Sequence, residues 1–337
     1  MKNNKYEIDM CNGTLMDKLI SFALPLMLSG MLQLMFNAVD IIVVGRFTGS
    51  TALAAVGSTT ALISTFTNLF IGVSLGANVL AARFYATGKA KEMSETVHTA
   101  IALAAISGVV MCIIGIAAAR EALVLIDTPD DVIGQAALYL RLYFCGMPFF
   151  MLYNYGAAIL RAVGDTKRPL MYLIIAGSTN AVLDLVLVII FKMGVAGVAI
   201  GTVTSQLISC ILVIRCLMIT ESDYKLRIRD LRIRKYYLLQ ILSVGLPAGI
   251  QSTVINFSNV LLQSSVNSFG EIAMAGYTAA NNILGFLYMS ANAVTQACMS
   301  FTSQNYGAGK PKRMDRVLID CMILSCGILL VLGTCAY

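Results

Sequence analysis

Two aspartates lie inside long apolar stretches of the chain, where ionisable side chains are rare. Asp40 falls in the apolar run 19–45, and Asp184 falls in the run 170–191. A charged aspartate at the centre of a bilayer costs about 2.5–3.5 kcal/mol even on a lenient insertion scale, so we expect both side chains to face a cavity or a partner. An apolar cavity favours the protonated form of a carboxyl group, and a bound cation also neutralises it. The two residues therefore predict a cation or proton site.

The two aspartates are expected at similar depths in the membrane. The first apolar run ends near Arg46, and the second ends near Lys192. Because a helix rises 1.5 Å per residue, Asp40 and Asp184 lie on the order of 9 and 12 Å from the ends of their runs. Similar depth allows both acids to belong to one site.

Amide side chains accompany both aspartates at helical spacing. Asn180 lies four residues before Asp184 and shares its helix face, while Gln33, Asn37 and Asp40 form one polar stripe. Polar side chains of this kind also hydrogen-bond membrane helices to one another, and that structural role stays open for the amides. Two acids at matched depth favour a functional site instead.

The composition places these residues in a membrane protein. Of the 337 residues, 58% are hydrophobic and only 12% are charged, and the mean hydropathy is +0.79. A soluble domain carries about twice that charged fraction. The surplus of apolar side chains excludes a cytosolic enzyme, a nucleic-acid-binding protein and a secreted disulfide scaffold.

The sequence contains no motif for catalysis or for a cofactor. It has no phosphate-binding loop, no nucleophile elbow and no H-E-x-x-H motif, so we expect no enzymatic activity. The nine cysteines form no C-x-x-C pair and do not cluster with the single histidine. We therefore expect no metal site beyond possible Na⁺ binding at Asp40 and Asp184, and no cofactor beyond a coupling ion.

The apolar runs predict an all-helical membrane protein. The ten-residue alternation of a membrane strand is absent, and most runs approach or exceed the roughly 20 residues that span a bilayer as a helix. Pro25, Pro148 and Pro247 lie inside runs and each removes a helical hydrogen bond. We predict nine membrane-spanning helices, at about 19–45, 52–81, 96–119, 132–160, 170–191, 196–219, 238–266, 273–303 and 317–336.

The basic residues predict how the spans are oriented. With the N-terminus in the cytoplasm, 20 of the 24 lysines and arginines fall on the cytoplasmic side, as the positive-inside rule requires. The net charge of +6 is thus explained by topology, and nucleic-acid binding has no support. We expect a multi-pass protein of the plasma membrane whose partners are the lipid bilayer and small molecules, with no obligate protein partner.

A sequence repeat divides the chain into two lobes. With a shift of 221 residues, the loop YATGKAKEM falls on YGAGKPKRM, six spans later and on the same side of the membrane. We predict a six-helix N-lobe at 1–219, a basic cytoplasmic linker at 220–237 and a C-lobe at 238–337 with three helices. A complete repeat would need roughly a hundred more residues, so we expect the sequence to be partial.

Several strings resemble the multidrug and toxic compound extrusion (MATE) transporters. The resemblance rests on LPLMLSGMLQLMFNAVDIIVVGRFTGSTALAAVG, AAILRAVGDTKRP, STNAVLDLVLV and QNYGAGKPKRM, in family order over nearly the whole chain. It implies a twelve-span exporter with two six-helix lobes around a central cleft, which expels cationic or amphipathic drugs in exchange for inward H⁺ or Na⁺.

The resemblance also implies which residues couple the cation to export. In the branch similar to the DNA-damage-inducible exporters, the aspartates of the N-lobe coupling site fall on Asp40 and Asp184. Their polar partners fall on Asn180, Asn154, Tyr139 and Thr202. The chain departs from the pattern at Phe36, where the family has a tyrosine. Asn154 is expected at a greater depth than Asp184, so its place in the site follows from the resemblance alone.

Our hypothesis from the sequence is a multidrug antiporter with H⁺ or Na⁺ as the coupling ion. A substrate cleft with polar side chains from both lobes is expected at Gln33, Asn37, Asn256 and Asn259. One alternative is a flippase for a lipid-linked oligosaccharide or cell-wall precursor, which should carry more basic residues inside the membrane to hold pyrophosphate. Another is a channel or a structural membrane protein.

Overall fold

The protein is helical throughout the residues that the structure describes. This computed structural model describes residues 6–126, 128–267 and 271–336, and within them the regular structure consists of helices alone. The prediction of an all-α fold is confirmed. The α-helices are α1 (Met16–Phe47), α2 (Ser50–Ala86), α3 (Ala90–Leu125), α4 (Asp130–Cys145), α5 (Met147–Ala162), α6 (Lys167–Leu185), α7 (Val195–Ile219), α8 (Lys235–Asn267), α9 (Glu271–Gly307) and α10 (Pro311–Ala336).

Seven of the nine predicted apolar runs each fall on one α-helix, while the run 170–191 continues from α6 into a π-helical turn at Val186–Ile190. The run 132–160 is two helices, α4 and α5, which meet at an angle of 47°. Among the described residues, seven helices are long and apolar enough to cross a membrane, or eight if the bent pair is one span. α9 has 37 residues and is not among these helices, and amides and hydroxyls interrupt its apolar sequence.

The three prolines act differently. Pro148 lies in the first turn of α5, where a missing N–H costs nothing, and it begins the new helix after the bend at Gly146. Pro25 and Pro247 lie inside α1 and α8, and both helices continue through them. Near the first of these, Ser29 Oγ donates a hydrogen bond to the Pro25 carbonyl at 2.8 Å.

Glycines allow the predicted lobes to approach closely. α2 and α8 cross where a methyl group on Gly72 would overlap the backbone of Gly249, and one on Gly245 would lie 2.6 Å from the Cα of Val73. Contacts of this kind between small residues are a common way for membrane helices to associate. α2 and α8 therefore form a tight seam between the first and second parts of the chain.

The turns of the helical chain lie alternately at two ends of the molecule. One end carries the turns at 87–89, 163–166 and 308–310, the N-terminal segment 6–15 and the connecting segment 220–234, and we call it the basic end. The connecting segment is fixed on α3 there. Arg232 and Arg234 contact the Glu95 carboxylate at 2.8 and 3.0 Å, and the backbone N–H of Arg227 donates to His98 Nε2 at 3.0 Å.

Candidate cation and substrate site

The two predicted aspartates meet between α1 and α6. Asp40 lies in the last third of α1 and is 9% exposed, and Asp184 lies in the last turn of α6 and is fully buried. Their carboxyl groups are hydrogen-bonding partners. Two carboxyl groups share a hydrogen bond only when one of them carries a proton, so their geometry suits proton binding.

Asn180 connects this pair to α7. In one orientation of its amide, Nδ2 lies 3.4 Å from both oxygens of Asp184. In the other orientation, Nδ2 donates to Asp40 Oδ1 at 3.1 Å, and the amide oxygen accepts from the backbone N–H of Thr202 at 3.3 Å. Thr202 thus reaches the site through its backbone, while its hydroxyl donates to the Val198 carbonyl of its own helix at 3.0 Å.

Two glycines make room for the site where the helices meet. A methyl group on Gly201 of α7 would overlap Oδ1 of Asp184, so the carboxyl group packs directly on the α7 backbone. A methyl group on Gly177 of α6 would overlap the ring of Phe36. The phenyl ring therefore brings α1 against α6, but it offers no hydroxyl for the hydrogen bond that the family tyrosine would supply.

A π-helical turn follows directly after Asp184 and was not predicted. It covers Val186–Ile190, and the chain then turns at Lys192, which has a positive φ of 54°. A π-helical turn inserts an extra residue into the helix and often marks a functional site. The extra residue changes the direction in which the residues after Asp184 face, next to the buried acid. No proline or glycine within Val186–Ile190 indicates this turn in the sequence.

Asp40 borders a cavity of about 460 Å³ among α1, α2, α4, α5, α6 and α7, which both polar and apolar side chains line. Seven of the predicted residues line it: Gln33, Asn37, Asp40, Tyr139, Asn154, Asn180 and Thr202. Asp184 is not among the lining residues and connects to the cavity through Asp40 and Asn180. The predicted cation residues and the N-lobe part of the predicted substrate cleft thus share one cavity.

Tyr139 interacts with the acid pair, whereas Asn154 makes its hydrogen bond within its own helix. Tyr139 is 6% exposed, and the charges of both carboxyl groups act on its hydroxyl. Asn154 lines the cavity, but its Nδ2 donates to the Phe150 carbonyl of its own helix at 2.8 Å. Its place in a coupling site therefore stays a prediction from the resemblance.

A polar face of α2, which was not predicted, also lines the cavity. Thr60, Ser64, Thr67 and Asn68 all border the cavity. The hydroxyls of the first three donate to carbonyls of their own helix, which leaves their oxygen lone pairs facing the cavity. The signal was present in the sequence, because these residues recur at intervals of three and four within an apolar run.

The sequence of the chain matches the MatE family over residues 25–186 and 247–337. This chain belongs to the MatE family. The resemblance drawn from the sequence is confirmed at the level of the family, while the assignment to one branch stays a prediction. The matched residues carry both aspartates and the amide between them.

Relatives of this chain are named as multidrug resistance or multidrug export proteins. It is 31% identical over 305 residues to the probable multidrug resistance protein YoeA of Bacillus subtilis (strain 168), covering 88% of this chain and 66% of the relative. It is 23% identical to the multidrug export protein MepA of Staphylococcus aureus, covering 93% of this chain and 69% of MepA. The chain thus spans about two thirds of the length of these relatives.

Solved MATE transporters share the fold. The outward-facing conformation of a multidrug resistance MATE family transporter of the MOP superfamily superposes with a TM-score of 0.89 at 22% sequence identity, over 96% of this chain and 72% of that one. At this identity the comparison concerns the fold alone. It agrees with the helical architecture of a multi-pass membrane protein.

The predicted C-lobe site residues lie apart from the cavity lining. Asn256 donates its amide to the Ser252 carbonyl of α8 at 3.0 Å, and Asn259 is exposed on the same helix. Neither is among the described residues that line the cavity. Their role in a substrate cleft stays a prediction.

The donor set fits a small hard cation better than a transition metal. Among the described residues, no group of three or more His, Cys, Asp or Glu side chains is close enough to hold a metal ion. Asp40, Asp184 and the amide of Asn180 instead offer oxygens, which hard cations prefer as ligands. These groups are chemically suited to a proton or to a hard cation such as Na⁺, and binding of either stays a prediction.

Proposed function

We propose that this protein is a secondary active transporter that exports cationic or amphipathic toxic compounds in exchange for inward H⁺ or Na⁺. The single observation that carries the proposal is the buried Asp40–Asp184 pair, joined by a hydrogen bond at the edge of a polar cavity. Membership of the MatE family and the names of its multidrug resistance relatives support the same activity.

The acid pair responds to charge because it is buried. When both carboxyl groups are ionised, two negative charges oppose each other away from water, which is unfavourable. A proton, Na⁺ or a cationic group of a substrate relieves this repulsion. The same two carboxyl groups attract the proton, Na⁺ and the cationic substrate, so binding of the coupling ion weakens the attraction for the substrate. This competition is the basis of exchange.

The cavity suits cationic and amphipathic compounds. Aromatic side chains line it together with the amides and hydroxyls: Phe36, Tyr139, Tyr143, Phe150 and Tyr153. The faces of such rings attract cations and also bury apolar surface. Among the described lining residues, none is lysine or arginine. A pyrophosphate group would meet no positive charge there, so we favour export of cations over flipping of a lipid-linked precursor.

Exchange requires that the coupling ion binds one conformation of the protein more tightly than the other. The shift between the conformations is limited by this difference in affinity, and a factor of about a hundred corresponds to roughly 2.7 kcal/mol. Asp40 and Asp184 lie on different helices, α1 and α6. Relative movement of those helices separates the two carboxyl groups and changes the affinity for the ion.

The proposal includes the position and orientation of the protein. It is a multi-pass protein of the plasma membrane with its N-terminus in the cytoplasm, so the basic end faces the cytoplasm, as the positive-inside rule favours. It acts as a transporter and not as an enzyme, with no cofactor apart from the coupling ion. Its partners are small-molecule substrates and lipid.

Ethidium efflux from cells that lack their own pumps tests the proposal. The parent protein should export ethidium, and dissipating the H⁺ and Na⁺ gradients should abolish export. Asp40→Asn and Asp184→Asn should each lower the efflux rate to the level of cells without the transporter. Asp131→Asn is the matched control, because it removes an exposed carboxyl group in the first turn of α4, away from the cavity.

Three results would contradict the proposal. Unchanged efflux in both aspartate variants would remove the acid pair from the mechanism. Efflux that persists without either ion gradient would exclude antiport. Absence of efflux by a well-expressed parent, together with translocation of a lipid-linked sugar in proteoliposomes, would favour the flippase. Imposing the H⁺ and Na⁺ gradients one at a time identifies the coupling ion.

A further inference from the structure

Ten residues before α1 form an irregular segment that lies across the basic end. We call residues 6–15 the N-terminal clasp. The clasp is folded on itself: the Asp9 carboxylate accepts hydrogen bonds from the backbone N–H groups of Cys11 and Asn12 at 2.9 and 3.2 Å. Lys18 Nζ donates to the Asp9 and Asn12 carbonyls at 2.8 and 2.7 Å. Because Lys18 belongs to α1, these bonds fix the shape of the clasp at the start of that helix.

The first half of the clasp is bound to the N-lobe and its connecting segment. The Glu7 carboxylate accepts hydrogen bonds from the hydroxyls of Tyr85 and Tyr224, both at 2.8 Å. The backbone of Ile8 lies against Gly164, where a methyl group would come within 2.6 Å of it. Hydrogen bonds to a charged carboxylate are stronger than neutral ones. This half is firmly held.

The second half of the clasp is bound to the C-lobe. The Met10 carbonyl accepts from Asn305 Nδ2 at 3.1 Å, and the Cys11 carbonyl accepts from Lys310 Nζ at 2.9 Å. The Asn12 carbonyl accepts from a terminal nitrogen of Arg313 at 3.1 Å. The lysine and arginine contacts are partly exposed to solvent, whereas the Met10 side chain is fully buried in an apolar cluster with Phe301 of α9 and Val317 of α10. The clasp thus joins the two lobes across their seam.

Direct bonds between the lobes lie deeper along the same seam. Gln304 Nε2 of α9 donates to the Ala162 carbonyl of α5 at 2.7 Å. Ser300 Oγ donates to Asn78 Oδ1 at 3.1 Å, and Asn78 in turn donates to the Ala158 carbonyl at 2.8 Å. The cavity cannot open at the basic end until these bonds and the second half of the clasp have parted.

We propose that the N-terminal clasp is a releasable latch, which stays on the N-lobe through Glu7 and leaves α9 and α10 whenever the lobes separate at the basic end. The bonds that break are those of Lys310 to the Cys11 carbonyl and to Asn12 Oδ1, those of Arg313 to the Met10 and Asn12 carbonyls, and that of Asn305 to the Met10 carbonyl. Water hydrates the freed carbonyls and cations, but release also exposes the buried Met10 side chain, so the clasp leaves only when α9 and α10 move away from it. The latch rests on the proposed opening of the cavity to alternate sides.

Cys11 is a native reporter of the latch. Its thiol lies within the clasp, and its Sγ approaches Gln304 Oε1 at 3.9 Å. Burial raises the pKa of this thiol, which lowers the thiolate fraction and slows alkylation. Release of the clasp exposes the thiol. The rate of Cys11 alkylation by N-ethylmaleimide, followed by peptide mass spectrometry, therefore measures how often the clasp is released.

Two pairs of variants test the latch in the membrane-reconstituted protein. Arg313→Ala removes a charged contact with the clasp, and we expect the Cys11 rate to rise about tenfold or more. Arg316→Ala removes an exposed charge one turn away and should leave the rate unchanged. Ser300→Ala removes a bond between the lobes without touching the clasp, and the rate should rise about twofold to tenfold. Ser290→Ala, which removes only a bond within α9, should have no effect.

The Ser300→Ala variant decides between a latch and a static cover. If the Cys11 rate in this variant equals that of the parent, release of the clasp is independent of the lobes and the proposal is overturned. It is overturned equally if Arg313→Ala leaves the rate unchanged. The readout does not depend on export. A raised Cys11 rate in a protein that exports no ethidium would uphold the latch while refuting the proposed substrate.

Discussion

Gly201 offers the sharpest perturbation of the candidate cation site, because it changes no charged or polar group. A methyl group at this position would overlap Oδ1 of Asp184 and would lie 3.4 Å from its Cγ. The neighbouring atom belongs to a carboxyl group that is fully buried and held by its hydrogen bond to Asp40. Gly201→Ala must therefore displace the carboxyl group, the α7 backbone or both.

The expected size follows from the packing. Overpacking by one methyl group in a well-packed interior costs about 1–3 kcal/mol. If this cost falls on the ion-bound arrangement of the acid pair, the affinity for the coupling ion drops by about fivefold to 150-fold. We expect ethidium efflux to need a correspondingly higher concentration of the coupling ion, while the maximal rate changes less.

Efflux measured across a series of imposed ion concentrations checks this expectation. Gly57→Ala is the matched control, since it adds the same methyl group to a helix of the same lobe, at a position with open space around it. Expression and melting temperature of both variants should be compared with the parent. If Gly201→Ala folds and exports with the ion dependence of the parent, the reasoning that the Asp184 carboxyl group must keep its place against α7 is wrong.

Two further predictions concern the seam and the clasp. Gly249→Val should destabilise the protein by roughly 1–3 kcal/mol and lower its melting temperature, because its side chain would overlap the Leu69 carbonyl of α2. Gly333→Ala adds a methyl group in open space and should leave the melting temperature unchanged. Since burial raises the pKa of Cys11, the contribution of this thiol to the stability of the closed clasp is fully present below the ordinary thiol pKa and is lost as pH rises through the raised pKa. A pH series of Cys11 alkylation should therefore have a higher midpoint in the folded protein than in the denatured one.

Much of the candidate site was predictable because its signals are local. Asp40 and Asp184 stand out as acids in apolar runs, and the i, i+4 spacing places Asn180 beside Asp184. These features depend on helical periodicity alone, and the helices formed as the periodicity predicts. The polar stripe on α2 that begins at Thr60 has the same helical periodicity. Hydroxyl residues are common in membrane helices, so they indicate a functional site less strongly than an acid does.

Other features depend on contacts between distant residues and could not be predicted from local patterns. The close approach of Gly201 to Asp184 is fixed by how α7 packs on α6, and a glycine in a membrane helix is usually explained by packing alone. The clasp binds the C-lobe mainly through its own backbone carbonyls, about 300 residues before their partners, with Asn12 Oδ1 as a side-chain acceptor for Lys310. Backbone acceptors are the same at every position, so most of this contact leaves no pattern in the side chains.

The two ends of α1 connect the candidate site with the clasp. Asp40 lies toward one end of this helix, and the clasp continues directly from the other. Between them, Pro25 lacks an N–H, so α1 has one hydrogen bond fewer at that point and bends there more easily than a regular helix. A change in how Asp40 packs against α6 therefore reaches the basic end along one continuous element. A cation bound in the cavity and a latch at the far end bias the same helix, which is the physical requirement for coupling two sites.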